Sequence, residues 1–88
     1  MIYKITYGES FKKHYKNLHQ NEKKQVEKKV RLLTQNPTHP SLRTKKIKGE
    51  QNIFECSVNM DIRILWSYEE DKIILLIDIG HHDILKRF

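Results

Sequence analysis

The chain has 88 residues, 38% hydrophobic and 32% charged with a net charge of +6, a balance that excludes a disordered polyelectrolyte and allows one modest core. No apolar run approaches the roughly 20 residues needed to cross a bilayer, and Met1-Ile2-Tyr3-Lys4-Ile5 lacks the features of a secretory signal, so a cytoplasmic protein with no membrane partner is expected. Cys56 is the one cysteine, which excludes an intrachain disulfide and a single-chain thiolate metal cluster.

In chain order, Ile2-Tyr3-Lys4-Ile5-Thr6-Tyr7 is β-branched and aromatic and reads as a strand. Gly8-Glu9-Ser10 breaks it, with Ser10 the expected N-cap of a short helix carrying Phe11, Tyr15 and Leu18 on one face. Asn21 is expected to cap a second helix with Val26, Val30 and Leu33 on its inner face. Lys23, Lys24, Lys28, Lys29 and Arg31 decorate the rest of that helix, and Glu27 can pair with Arg31 one turn on. Asn36-Pro37 ends it, because proline disfavours helix in the preceding residue. Residues 38–41 read as a loop, and residues 42–48 as an edge strand whose lysines discourage pairing with other chains. Residues 49–52 read as a turn.

The second half alternates more clearly. Phe54, Cys56 and Val58 share one face of a strand, with Glu55 and Ser57 on the other. Asn59-Met60-Asp61 turns the chain. Ile62, Ile64, Trp66 and Tyr68 then alternate with Arg63, Leu65 and Ser67. Residues 69–72 form the next turn, and the almost wholly apolar residues 73–79 suit a central strand covered on both faces. The expected fold is α+β, a single domain over residues 1–88 in the order β-α-α-β-β-β-β. Its sheet would be antiparallel, with an N-terminal helical hairpin packed on one face.

Charge divides along the chain. Residues 1–50 hold 13 Lys/Arg against 4 Asp/Glu, net +9, whereas residues 51–88 hold 4 against 7, net −3. The basic half suits either phosphate-rich or acidic protein partners, and equally a solvated helix surface. On the sheet, the period of two sets Glu55, Ser57 and Arg63 on the face away from the core, and the segment Gly80-His81-His82-Asp83 reaches its end.

Those residue types fit RNA cleavage through the 2′-hydroxyl. That reaction needs a base for the hydroxyl proton, a cation for the dianionic phosphorane and an acid for the leaving 5′-oxygen. Histidine as a residue type suits the proton transfers, and the planar fork of arginine suits the phosphate. His82 and Arg63 meet these needs, with Glu55 or Asp61 as second carboxylates. Plainer readings stand beside them. Arg63 can be the cross-strand ion-pair partner of Glu55, His82 a surface histidine, and Asp61 a turn residue. Cys56 reads as inert packing. Asp78, in a central strand, requires a partner that the pattern does not identify. His14, His19 and His39 are dispersed, and adjacent His81 and His82 make a poor ligand pair, so no metal is expected.

The stretches Ile47-Lys48-Gly49, Phe54-Glu55-Cys56-Ser57-Val58, Asp61-Ile62-Arg63-Ile64-Leu65-Trp66 and Gly80-His81-His82-Asp83-Ile84-Leu85-Lys86-Arg87-Phe88 resemble the RelE/ParE superfamily of toxins from type II toxin–antitoxin modules, over nearly the full length. The resemblance to RelE-type members implies that Arg63 contacts the scissile phosphate, with His82 and Phe88 as counterparts of a basic residue after the last strand and of a C-terminal aromatic. Where RelE has strand lysines this chain has Glu55 and Ser57, and Phe88 lacks the hydroxyl of a tyrosine. The YafQ-like branch relies on histidine and aspartate, which His82 and Asp61 match, while Ser57 replaces a further histidine.

The resemblance therefore implies a metal-independent, cofactor-free endoribonuclease toxin that cuts mRNA on the ribosome. His82 would serve general acid/base work and Arg63 phosphate stabilisation, helped by Asp61 and Glu55. Lys45, Lys46, Lys48 and His81 would bind RNA, with Phe88 stacking on a base. The implied partners are mRNA, ribosomal RNA and a cognate antitoxin. Two alternatives share the fold: a ParE-like toxin that inhibits DNA gyrase without cleaving nucleic acid, and an inactive RNA-binding homologue.

Overall fold

In the computed structural model, which describes residues 2–47, 49 and 52–82, the chain runs β1 (Lys4–Tyr7), α1 (Glu9–Tyr15), α2 (Gln20–Gln35), a 3-10 turn (Pro40–Leu42), β2 (Lys45–Lys46), β3 (Phe54–Ser57), β4 (Ile62–Glu70) and β5 (Ile73–His81). The strands form one sheet in the order β1-β5-β4-β3-β2. The expected element order is met, and so is the antiparallel meander from β2 to β5.

The sheet is mixed rather than wholly antiparallel, because β1 pairs parallel to β5, from Lys4 opposite Ile73 to Tyr7 opposite Leu76. An apolar strand such as β5 needs a neighbour on each side, and β4 supplies only one. β1 fills the other side, held by Lys4 N–H to Lys72 O and Gly8 N–H to Leu76 O, both at 2.8 Å, while Tyr3 N–H reaches Thr34 O at the end of α2. Gly8 is required where it stands: a Cβ there would lie 2.8 Å from Leu76 O.

The helices cover one face of the sheet. Phe11 of α1 and Val26, Val30 and Leu33 of α2 pack on Cys56, Ile62, Ile64, Trp66, Ile74, Leu76 and Ile79, all buried. The spacing of the α2 residues, four then three, is what puts them on one stripe. Caps differ from expectation by a residue or two. Gly8 and His19 are the N-caps instead of Ser10 and Asn21, and the Glu22 carboxylate accepts the His19 N–H at 2.8 Å. Leu42 is not part of an edge strand. It closes the 3-10 turn and is fully buried, leaving β2 as two exposed lysines at the sheet edge. β4 runs through Glu70, so the hairpin turns at Asp71-Lys72 alone, with Lys72 at φ 69°. In the expected turn over residues 49–52, Glu50 and Gln51 lie outside the described residues.

One irregularity matters for the opposite face. Leu65 pairs with Asp78 but Trp66 with Leu76, so Ile77 is an extra residue on β5. A bulge of this kind shifts the alternation by one. Leu76 and Ile79 can then both face the helices while Asp78 stands beside Leu65 on the other side.

Candidate functional site

Two rows of cross-strand neighbours build the face away from the core. Glu55, Leu65 and Asp78 are adjacent in register, and so are Ser57, Arg63 and Gly80. The first row is buried, with Leu65 at 0%, Glu55 at 4% and Asp78 at 6% exposure. Two carboxylates in such surroundings need partners, since uncompensated burial of charge costs several kcal/mol, on the order of the ion's effective desolvation penalty. Asp78 finds His14 of α1, whose Nδ1 is 2.6 Å from its Oδ1, and the same oxygen accepts the Ile79 N–H. This is the partner that the sequence pattern left unidentified; the two residues are 64 apart in the chain.

Glu55 finds Arg63. Nε of the guanidinium is 3.5 Å from Glu55 Oε1, and Lys45 Nζ is 3.9 Å from the same oxygen. Oε2 makes no hydrogen bond among the described residues. Arg63 also holds the turn that precedes its own strand. Its Nη1 donates to the carbonyls of Asn59 at 2.7 Å, Met60 at 3.0 Å and Ile62 at 3.2 Å. Asn59 stiffens the same turn, with Oδ1 accepting the N–H groups of Asp61 and Ile62 and Nδ2 donating to Gln25 of α2. The remaining nitrogen, Nη2, makes no hydrogen bond among the described residues, and the side chain stays 20% exposed. Opposite it, Gly80 adds no side chain.

The other expected site residues fall around this centre. His81 is the last residue of β5, opposite Ile62, and His82 follows it; both are exposed. Carried one residue further, the same register sets His82 against Asp61, exposed in the β3–β4 turn. Lys45 and Lys46 line the edge strand. Lys48 and Phe88 lie outside the described residues. Ser57 is half-buried beside Arg63. Cys56 points into the core, where burial, and next the Glu55 charge, push its thiol up to about 12. It is therefore a packing group and not a nucleophile.

Arg63 also borders a cleft that the sequence did not disclose. A cavity of about 270 Å³ lies at the end of the sheet, lined by Lys29, Ser41, Arg43, Ser57, Val58, Asn59, Met60 and Arg63. Lys29 directly precedes the buried Val30, at the flank of the inner stripe of α2, and its Nζ donates to Ser41 O at 3.2 Å. Arg43 caps the 3-10 turn in a left-handed conformation, φ 50° and ψ 43°. Neither residue carried a signal. Lys29 is one lysine among several on its helix, and a left-handed arginine breaks the rule that would have placed it.

This architecture is that of the RelE-type toxins. The toxin fold of the archaeal RelE–RelB complex from Pyrococcus horikoshii superposes with a TM-score of 0.78 at 16% identity, covering 96% of this chain and 99% of that one. The YoeB dimer from Staphylococcus aureus gives 0.76 at 17% identity over 93% and 99%. The DinJ–YafQ toxin–antitoxin complex of E. coli gives 0.75 at 17% identity over 93% and 94%. Curated proteins yield no significant sequence match. A family model, described as the bacterial toxin YafQ of type II toxin–antitoxin systems, matches residues 3–87. The chain belongs to that family.

Proposed function

We propose that this toxin is an endoribonuclease that cleaves mRNA on the ribosome without a metal ion. The observation that carries the reading is Arg63. It is held through Nη1 and Nε, its Nη2 makes no hydrogen bond among the described residues, its register partner Gly80 adds no side chain, and it stands at the end of the sheet from which His82 emerges. In this reaction the 2′-oxygen attacks phosphorus and the bond to the 5′-oxygen breaks, leaving a 2′,3′-cyclic phosphate and a 5′-hydroxyl. His82 handles the protons, Asp61 orients it, and Arg63 stabilises the charge on the phosphorane. Buried Glu55 acts through Arg63 as a positioning residue. Lys45, Lys46, Lys48 and His81 bind RNA phosphates, and Phe88 stacks on a base. As the toxin of a type II system, the chain has a cognate antitoxin, and among the described residues no helix is long and apolar enough to cross a membrane. We place its action in the cytoplasm, where message and ribosome meet.

The test is to translate a defined message with purified toxin and map the new 5′ ends. Wild type should cut within the translated region, and His82→Ala should slow cutting by about 10²–10⁴-fold, the usual worth of a general acid or base. An intact message in translating ribosomes, with gyrase–DNA complexes trapped instead, would refute the nuclease reading.

A further inference from the structure

The cleft beside Arg63 adds two cations that the cleavage reaction does not use. Lys29 comes from α2, Arg43 from the 3-10 turn and Arg63 from β4, so three separate elements deliver positive charge to one cavity of about 270 Å³. Among the described residues no carboxylate lines it; the remaining walls are hydroxyl, amide and apolar groups. Of these three cations Arg63 alone has a carboxylate partner among the described residues, Glu55, just as Lys12 has Glu9 and Lys45 has Glu55. Among the described residues neither Lys29 nor Arg43 meets an acidic group, and the Lys29 ammonium is steadied only by a neutral carbonyl.

Like charges gathered in a concave site raise one another's energy unless an anion joins them. Arg43 adds a backbone cost of about 1–2 kcal/mol, because a left-handed conformation crowds the Cβ of any residue but glycine. The cavity has room for several waters at ~30 Å³ each, which suits a phosphate group with part of its sugar. On the ribonuclease reading the scissile phosphate meets Arg63 on the side of its register partner Gly80, whereas the cleft is lined by Asn59 and Met60 of the turn, so the two positions would be neighbours at one guanidinium.

We propose that Lys29 and Arg43, with Arg63, form a second phosphate subsite that holds the phosphodiester adjacent to the scissile one in the message strand. It fixes the direction in which the RNA crosses the sheet end and so the register of cutting. The inference rests on the ribonuclease reading of the Arg63 site and assigns a positioning role to residues outside it.

The experiment measures binding of a labelled 2′-O-methyl oligoribonucleotide, which cannot be cleaved, to the full chain by fluorescence anisotropy across a salt series. Lys29→Gln keeps a donor for Ser41, and Arg43→Asn keeps a residue type that tolerates the left-handed backbone. Each should weaken binding about tenfold, and the double variant should lower the salt slope by about 0.7, the value for one single-strand phosphate that is no longer neutralised. Lys29→Arg and Arg43→Lys should restore the slope, and Lys4→Gln, on the far edge strand, should leave it unchanged. Unfolding midpoints of the variants separate weakened binding from a weakened fold. If wild type binds the oligonucleotide and the double variant matches it in affinity and slope, the subsite is refuted while the nuclease reading stands. If wild type does not bind the oligonucleotide, the subsite is refuted, and the nuclease reading is decided by the mapped 5′ ends. Unchanged oligonucleotide binding with weakened ribosome pelleting would assign the cleft to ribosomal RNA and overturn the proposal.

Discussion

Arg63 carries a structural load that must be separated from its proposed chemical one. Replacing it with methionine, of similar length, leaves Glu55 with its side chain 6% exposed and, among the described residues, only Lys45 as an ion-pair partner, at 3.9 Å and itself 66% exposed. Breaking a buried ion pair by removing one partner costs about 3–5 kcal/mol. Residual exposure of Arg63 and the help of Lys45 reduce that to about 2–3 kcal/mol here. Losing the donor to three turn carbonyls adds about 1 kcal/mol, the net worth of one hydrogen bond, because those carbonyls can turn to water. Arg63→Met should therefore destabilise the protein by about 3–4 kcal/mol, a large part of the roughly 5–15 kcal/mol that holds a domain folded. Glu55→Gln in the same chain should recover about 2 kcal/mol of this by removing the stranded charge. Urea unfolding monitored through Trp66, the one tryptophan and fully buried, measures all four corners of the cycle. A coupling energy within about 0.5 kcal/mol of zero, the additivity expected of independent sites, would refute the account of Glu55 and Arg63 as an interdependent buried pair. The practical consequence is that cleavage by an Arg63 variant should be compared in the Glu55→Gln background, where the fold is secure.

Other consequences are simpler to test. Gly8→Ala drives a Cβ to 2.8 Å from the Leu76 carbonyl, backbone against backbone, and should lower stability by more than about 1 kcal/mol, seen as a drop in Tm; an unchanged Tm would mean that the β1–β5 contact is loose. Cys56 should resist iodoacetamide at pH 8 in the native protein and react once urea is added, since its pKa is raised to about 12 by burial. Because the folded value lies above the unfolded one, its contribution to stability is complete below about pH 9. It is lost as pH rises from there, by up to about 1.4 kcal/mol per unit; Cys56→Ala should show a shallower alkaline decline. His14→Ala strips the buried Asp78 of a partner at 2.6 Å and should cost about 1–3 kcal/mol by urea unfolding, with oligonucleotide binding intact.

What could be read from the sequence was what depends on short-range pattern. The Val26-Val30-Leu33 stripe, the Asn59-Met60-Asp61 turn and the central position of β5 all follow from periods of 3.6 and 2 and from turn chemistry. The pairing of Arg63 with Glu55 was also legible, as a cross-strand neighbour on one face of a meander. The features that escaped reading join distant segments. Parallel pairing of β1 with β5 depends on which strand fills the last open edge, and no local residue choice announces it. His14 and Asp78 meet only because α1 packs along β5, and the extra residue at Ile77 is invisible in a run of isoleucine and leucine. The cleft needed the same long-range information, since α2, the 3-10 turn and β4 each bring one cation to it.

These two sets of observations meet in the division of labour within one guanidinium. Nη1 is committed to the turn and Nε to Glu55, which leaves Nη2 as the nitrogen without a partner among the described residues. An arginine so tied cannot grip a phosphate with the two-pronged contact that gives arginine its usual strength unless it gives up Glu55. In the proposed reaction, holding on to Glu55 would keep Arg63 rigid and aimed, favouring catalysis through preorganisation but limiting what it adds to ground-state binding. Under the proposed function affinity for the strand would then come from elsewhere, and Lys29 and Arg43 are cations near it with no acidic partner among the described residues. On this view the electrostatic split between the halves of the chain has a purpose: the acidic sheet fixes the orientation of one arginine, and the basic helical half supplies the grip.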